Sequence, residues 1–216
     1  TVSYMRPGGV FQDAPEDFWP GLTEFLEEMP HYVDELEQLL VENEVLLVRT
    51  KGVGVLSKET AIACSVTGPI LRASGVPWDL RQVDPYEIYD RLDFRVPVGS
   101  NCDTYDRFVV RLYEIRESLS IIKQCSDTIP NGPIRVDLPF FLRPPVGDAY
   151  AHVEAPKGEL GFYLVSDGGI SPYRCKVRSP SFINITALQD MLIGWKVADL
   201  IVIFGSIDVN MGEVDR

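Results

Sequence analysis

Apolar side chains recur at three- and four-residue steps through Leu22, Phe25, Leu26, Met29, Val33, Leu36, Leu39 and Leu40. That is the stripe of an amphipathic helix, and Pro30 inside it predicts an interruption or kink. Asp17 or Thr23 stands where its start needs a cap. Ser57 is placed to cap a short helix over KETAIACS, with Gly68-Pro69 as the stop. The following stretch, GPILRASGVPWDLRQVDPY, reads as irregular, held by Gly, Pro and Trp78. Asp103 opens the clearest helix. Phe108, Leu112, Ile115, Leu119 and Ile122 form its apolar stripe, and Arg107, Arg111, Glu114, Arg116 and Lys123 take the other sides as far as about Asp127.

Pro130 to Pro145 is proline-rich and reads as a loop or linker. Two strands follow, Leu160 to Ser166 and Tyr173 to Val177, joined by a Gly-rich turn. Ser181 is expected to cap a helix through about Ile193, and Val197 to Phe204 a last buried helix stopped at Gly205. Helices first and a small sheet afterwards predict an α+β, helix-dominated fold. It divides into a helical part over residues 1–128 and a small α/β part over 129–216.

Composition narrows the function classes. At 216 residues and 45% hydrophobic, the chain can bury one large core or two small ones. The apolar runs near Val45–Val48 and Leu200–Phe204 are far shorter than the roughly 20 residues of a membrane helix, and no export signal is expected. The net charge is -12, and residues 13 to 44 hold eleven carboxylates with no Lys or Arg. Phosphate binding needs basic stripes, so a nucleic-acid partner is disfavoured. The acidic stretch fits a solvated helix face or a docking surface for a basic partner. Cys64, Cys102, Cys125 and Cys175 are widely spaced, and His31 and His152 are the histidines. No zinc or iron-sulfur ligand set can be drawn from them, and reduced thiols are expected. Residue 1 is Thr, which suits a processed chain or the back part of something longer.

No nucleophile stands beside a base at a telling spacing, and Gly52-Val53-Gly54 reads as a turn. The last residues, GSIDVNMGEVDR, say more. Asp208 follows a buried helix and meets the negative end of its dipole, so a cation or donor should compensate it. Arg216 is the local candidate. Such a cluster is either a structural ion pair or the lining of a polar pocket.

The string VEAPKGELGFYLVSDGGISPYRCKVRSPSF (153–182), together with GVGVLSKETAI (52–62), GPILRASGVPWDLR (68–81), MRPGGV (5–10) and the terminal GSIDVNMGEVDR, resembles the 49 kDa or D subunit family of NADH:quinone oxidoreductase, respiratory complex I. That family is kin to the large subunit of nickel-iron hydrogenases. The resemblance runs in order over essentially the whole chain, and it covers the back part of the family's sequence only. It implies a partial hydrogenase large-subunit-like fold. Hydrogenase relatives end on a DPCxxCxxH segment, where this chain has Asp208 to Arg216 without either cysteine or the histidine. Hydrogenase chemistry is therefore excluded on ligand grounds.

In the complex I family this turn walls a quinone cavity, formed with the neighbouring subunit that carries the terminal iron-sulfur cluster. The resemblance implies cavity or cavity-support positions for Val202, Asp208, Asn210, Glu213 and Arg216, and a place near the partner's cluster for Arg6. The substrate would be a quinone and the cluster would belong to the partner. This chain would hold no metal, and it would be inactive alone. Further expected partners are the other complex I subunits, the chain supplying the front portion and, indirectly, the membrane arm. The implied setting is a peripheral membrane complex, on the cytoplasmic face of a bacterial inner membrane or the matrix side of the mitochondrial one. Two residues depart from the family pattern: Thr1 stands where many members have His, and Asn210 replaces a usually apolar residue. The His and Tyr that bind the quinone head lie in the family's front portion. A non-catalytic hydrogenase-like scaffold is the competing reading, as is the same subunit in a ferredoxin- or coenzyme F420-fed relative.

Overall fold

Residues 4–215 are described by the computed structural model. A small antiparallel hairpin, β1 (Met5–Arg6) and β2 (Gly9–Val10), opens the chain and is tied to the later loop through a bridge between Gly9 and Arg135. Then come α1 (Phe18–Val41), α2 (Glu44–Thr50), α3 (Lys58–Ala63), α4 (Pro69–Ala73), α5 (Leu80–Val83) and the long α6 (Thr104–Thr128). A three-stranded antiparallel sheet follows in the order β3 (Gly147–Ala155), β4 (Gly158–Ser166), β5 (Arg174–Arg178). The chain closes with α7 (Pro180–Asn184), α8 (Leu188–Leu192), α9 (Val197–Ile207) and α10 (Met211–Val214). The outcome is a mixed fold of helices and one small sheet.

The helix over residues 18–41 runs through Pro30 without a break. Proline removes one donor, and the helix is held from outside: Val33 is buried, and Arg116 of α6 pairs with both Asp34 and Glu37. Asp17 occupies the N-cap position but makes no capping bond, and the Thr23 hydroxyl donates to the Trp19 carbonyl at 3.0 Å inside the helix. Gly68-Pro69 does not stop α3, which ends at Ala63. Gly68, at φ 71°, turns the chain, and Pro69 opens α4 at a first-turn position where its missing N–H is not needed. The segment from 68 to 86 is accordingly helical in two places. Ser179, rather than Ser181, caps α7, and the last buried helix passes Gly205 to end at Ile207. The sheet has a third strand, β3, which pairs with β4 along all nine residues from Gly147↔Ser166 to Ala155↔Gly158.

The two sequence-expected caps that hold are Ser57 on α3 and Asp103 on α6. Asp103 does more than cap: besides accepting from the Asp106 amide at 2.8 Å, it accepts from Gly52 N–H at 2.7 Å, fixing the 52–54 turn to α6. The main core gathers Val53, Leu56, Ile70, Leu71, Met191, Ile203 and Ile207. Gly54 has φ 59°, and a Cβ there would stand 2.7 Å from Ile203, so the turn can pass α9 this closely only without a side chain. α9 is thus clamped between that turn and α8, and its end is fixed in space.

Candidate functional site

The end of α9 is built from buried apolar residues and then leaves the helix abruptly. Ile203 and Ile207 are buried, and the next residue, Asp208, adopts the left-handed conformation (φ 60°, ψ 53°) that reverses the chain. Val209 then packs back onto the core. Two arginines one turn apart on α6 hold this exit. Arg107, fully buried, donates to Ser206 Oγ at 2.8 Å and to the Gly54 carbonyl at 2.7 Å. Burial, with repulsion from Arg111 next, lowers its pKa to about 10. Arg111 donates to the Arg107 carbonyl at 2.6 Å and, at 3.4 Å, to that of Ile207.

Asp208 is compensated by residues remote in sequence. Its Oδ2 contacts Lys157 Nζ, from the two-residue turn between β3 and β4, and lies 3.8 Å from Arg111 Nε. Burial lowers the Arg111 pKa, and the attraction of Asp208 opposes that shift. Among the described residues these are the cations at Asp208; Arg216, named for that role from the sequence, lies outside them. Two fixed positive charges offset both the helix dipole and the carboxylate, leaving Asp208 about half exposed.

Ser181 docks the rest of the turn. Asn210 N–H donates to Ser181 Oγ at 3.2 Å, and the Ser181 amide donates to Glu213 Oε2 at 3.2 Å. Asn210 Oδ1 accepts from Gly212 N–H at 3.1 Å and caps α10. The turn therefore brings Asp208, Asn210 and Glu213 together. Val202 is half-buried on α9. Arg6 stands on a different element, the β1–β2 hairpin, with its guanidinium 4.3 Å from the centre of the Phe11 ring. Sequence reasoning did not single out Lys157, Arg111, Arg107 or Ser181 for this site. Arg107 and Arg111 carried a signal, as cations placed on α6 away from its expected apolar stripe.

Beside Asp208, on the far side of Arg111, lies a polar cleft of about 260 Å³ lined by Arg72, Arg81, Arg111, Glu114, Ile115 and Glu154, among others. Arg72 is its buried centre: Nε donates to Glu114 at 2.6 Å, and Nη1 to Glu154 at 2.8 Å and to the Trp78 carbonyl at 3.0 Å. Arg81 grips Asp79 through two bonds, at 2.9 and 2.6 Å. A larger, mainly apolar cavity of about 480 Å³ lies between residues 142–149 and the ends of β4 and the loop after it. Asp208, Asn210 and Glu213 line neither.

A third polar cluster joins the sheet to the helical part. His152 on β3 sits 2.9 Å from Glu159 Oε1 and 2.9 Å from Asp84 Oδ2. The bonds to Glu159 and then to Asp84 raise its pKa above the ordinary histidine value. Because the folded pKa is the higher one, this contribution is complete below about pH 6.5 and fades as pH rises through the folded value. Urea denaturation between pH 6 and 9 should therefore show His152→Gln losing stability relative to the parent at the acid end, with the two converging at the alkaline end.

Comparison with known proteins adds to this geometry. The profile of the family described as the respiratory-chain NADH dehydrogenase 49 Kd subunit matches residues 1–144 and 140–216. The chain belongs to that family. Curated relatives of this 49 Kd subunit family include the D subunit of NADH-quinone oxidoreductase from Dehalococcoides mccartyi, 56% identical over 216 residues, and its counterpart from Desulforamulus reducens, 49% identical over 215. A D subunit from Roseiflexus sp. is 55% identical over 222 residues. Each alignment takes in 99–100% of this chain and 59% of the relative, so the chain spans about three-fifths of the length of the curated relatives it matches. Among the described residues no helix is long and apolar enough to cross a membrane, and no group of three or more His, Cys, Asp or Glu could hold a metal ion.

Proposed function

We propose that this chain forms part of the quinone-site subunit of a proton-translocating NADH:quinone oxidoreductase, in which electrons pass from an iron-sulfur cluster on a neighbouring subunit to quinone. The observation that carries the reading is the terminal turn, with Asp208 held between Lys157 and Arg111. Names of the relatives at 49–56% identity support it, since each is the D subunit of an NADH-quinone oxidoreductase. The wall of the quinone site would comprise Val202, Asp208, Asn210, Glu213 and Arg216, with Arg6 toward the cluster. The fold is read as part of the nickel-iron hydrogenase large-subunit fold. The protein would sit in the peripheral arm against the cluster-bearing chain, contributing no metal of its own.

Quinone reduction places negative charge on the ring oxygens before protons arrive. A site that already holds fixed cations stabilises that charge without reorganising. Lys157 and Arg111 supply them here, and Asp208 keeps them aimed. Asp208→Asn in the assembled complex should therefore lower quinone turnover on the order of tenfold, while electron input from NADH to an artificial acceptor that bypasses quinone is unchanged. Quinone turnover equal to the parent's in an intact complex would refute the assignment.

A further inference from the structure

The cleft behind Arg111 contains an imbalance of buried charge. Asp79, Glu114 and Glu154 supply three carboxylates, with side chains 1%, 18% and 4% exposed, around two guanidiniums, those of Arg72 and Arg81. Arg81 is committed to Asp79 by two short bonds, which leaves Glu114 and Glu154 sharing Arg72. Glu154, 4% exposed and sharing its cation with a second carboxylate, favours holding a proton. The remaining compensation comes across the cleft from Arg111, which also lies 3.8 Å from Asp208. Its Nη atoms donate to the Arg107 and Ile207 carbonyls, whereas its buried Nε has no hydrogen-bond partner and pairs with neither Asp208 nor the cleft carboxylates through a bond.

We propose that Glu154, with Glu114 beside it on Arg72, is a proton-loading carboxylate for the Asp208 turn, fed from solvent through the cleft and coupled to the turn by Arg111. This rests on the quinone-site reading above. Two electrons from the partner's cluster and two protons convert quinone to quinol. As negative charge develops beyond Asp208, Arg111 compensates it and no longer offsets the carboxylate pair. The proton affinity of Glu154 rises, and it takes one proton from cleft water. That proton passes to the reduced ring, and Glu154 is reloaded from bulk for the second. Arg111 itself carries no proton; it is a positioning residue. The groups facing Glu154 fit this role from every side: Arg72 on α4, Asp79 and Arg81 at α5, Glu114 and Arg111 on α6, and the Tyr86 hydroxyl, which accepts from the Glu154 amide at 3.1 Å. Burial raises the Glu154 pKa against the pull of Arg72.

The test uses the assembled complex carrying the full-length protein, with Glu114→Gln, Glu154→Gln and Ile115→Trp. Ile115 lines the cleft and is 37% exposed, so the indole closes the cleft while leaving every charge in place. Each variant is expected to lower kcat by about tenfold, below the ~10²–10⁴ of a group transferring protons at the reacting atom, with the quinone KM held within about twofold. Removing the Glu114 carboxylate leaves Arg72 to Glu154 alone and lowers the proton affinity of Glu154, so Glu114→Gln should move the alkaline limb of the pH–rate profile to lower pH. Ile115→Trp should leave that limb in place. If each of the three variants keeps kcat and the parent pH limb while Asp208→Asn loses turnover, the proton-loading role of Glu154 is wrong and the quinone site stands. If Asp208→Asn is also unaffected, both fall. Should Glu154→Gln fail to assemble, Ile115→Trp decides by the same criterion.

Discussion

Arg72→Met is expected to destabilise the protein by about 3–5 kcal/mol, the cost of removing one partner from a buried ion cluster. The guanidinium is 2% exposed and holds Glu114, Glu154 and the Trp78 carbonyl together. Although burial works against its charge, the attraction of Glu114 and Glu154 raises its pKa, so it is charged in the native state. Methionine fills much of the volume but leaves two buried carboxylates without their cation. Burying a charge unpaired costs far more than a surface ion pair contributes. Urea titration of the variant should show a midpoint shift of that size with an unchanged slope. Protonating the orphaned carboxylates at low pH should recover part of it. A loss under about 1 kcal/mol would mean that the cluster is solvated and contributes no more than an exposed pair.

Arg107→Met should cost about 2–4 kcal/mol, for a different reason: it unsatisfies buried acceptors rather than buried charges. Arg107 donates to the Gly54 carbonyl, to Thr104 Oγ1 at 2.8 Å and to Ser206 Oγ, all from a site with no exposure. Its own desolvation is relieved on substitution, which keeps the loss below that at Arg72. The functional effect should exceed what stability alone implies, because the lost bonds fix the last turn of α9 and therefore Asp208. Arg107→Lys, which keeps the charge but not the fork of donors, should also lower quinone turnover in the assembled complex. Thermal melts and turnover measured on the same preparations separate the two effects. Full activity in the Lys variant would remove Arg107 from the account of the site.

Much of the helical architecture was legible because it is set locally. α6 announces itself through Asp103, which caps it, but the expected apolar stripe is not its buried face. Thr104, Asp106, Arg107, Val110, Leu112 and Ile121 are buried, while Ile115 and Ile122 are exposed, because the helix turns a polar side to the 52–54 turn and α9. Pro30 misled because a proline in a helix is judged by the donor it removes, whereas α1 is held by contacts with α6 that no local pattern reveals. Pro69 misled in the opposite direction, opening a helix where it was expected to close one. β3 escaped notice because GDAYAHVEA has exposed residues on both faces and little β-branched content; it is a strand because β4 gives it nine partners. The terminal turn could be singled out from Asp208 after a buried helix, but its cations could not. Lys157 comes from a hairpin turn and Arg111 from a helix far back in the chain, and only tertiary folding brings either to that carboxylate.

Ser181 offers its amide to Glu213 and its hydroxyl to Asn210, while Ser179, two residues earlier, caps the same short helix directly after β5. The terminal turn is therefore anchored twice, to the short helix directly after the edge strand and, through Asp208, to Lys157 in the β3–β4 hairpin turn and Arg111 on α6. A neighbouring protein pressing on the sheet would load the turn through both attachments at once.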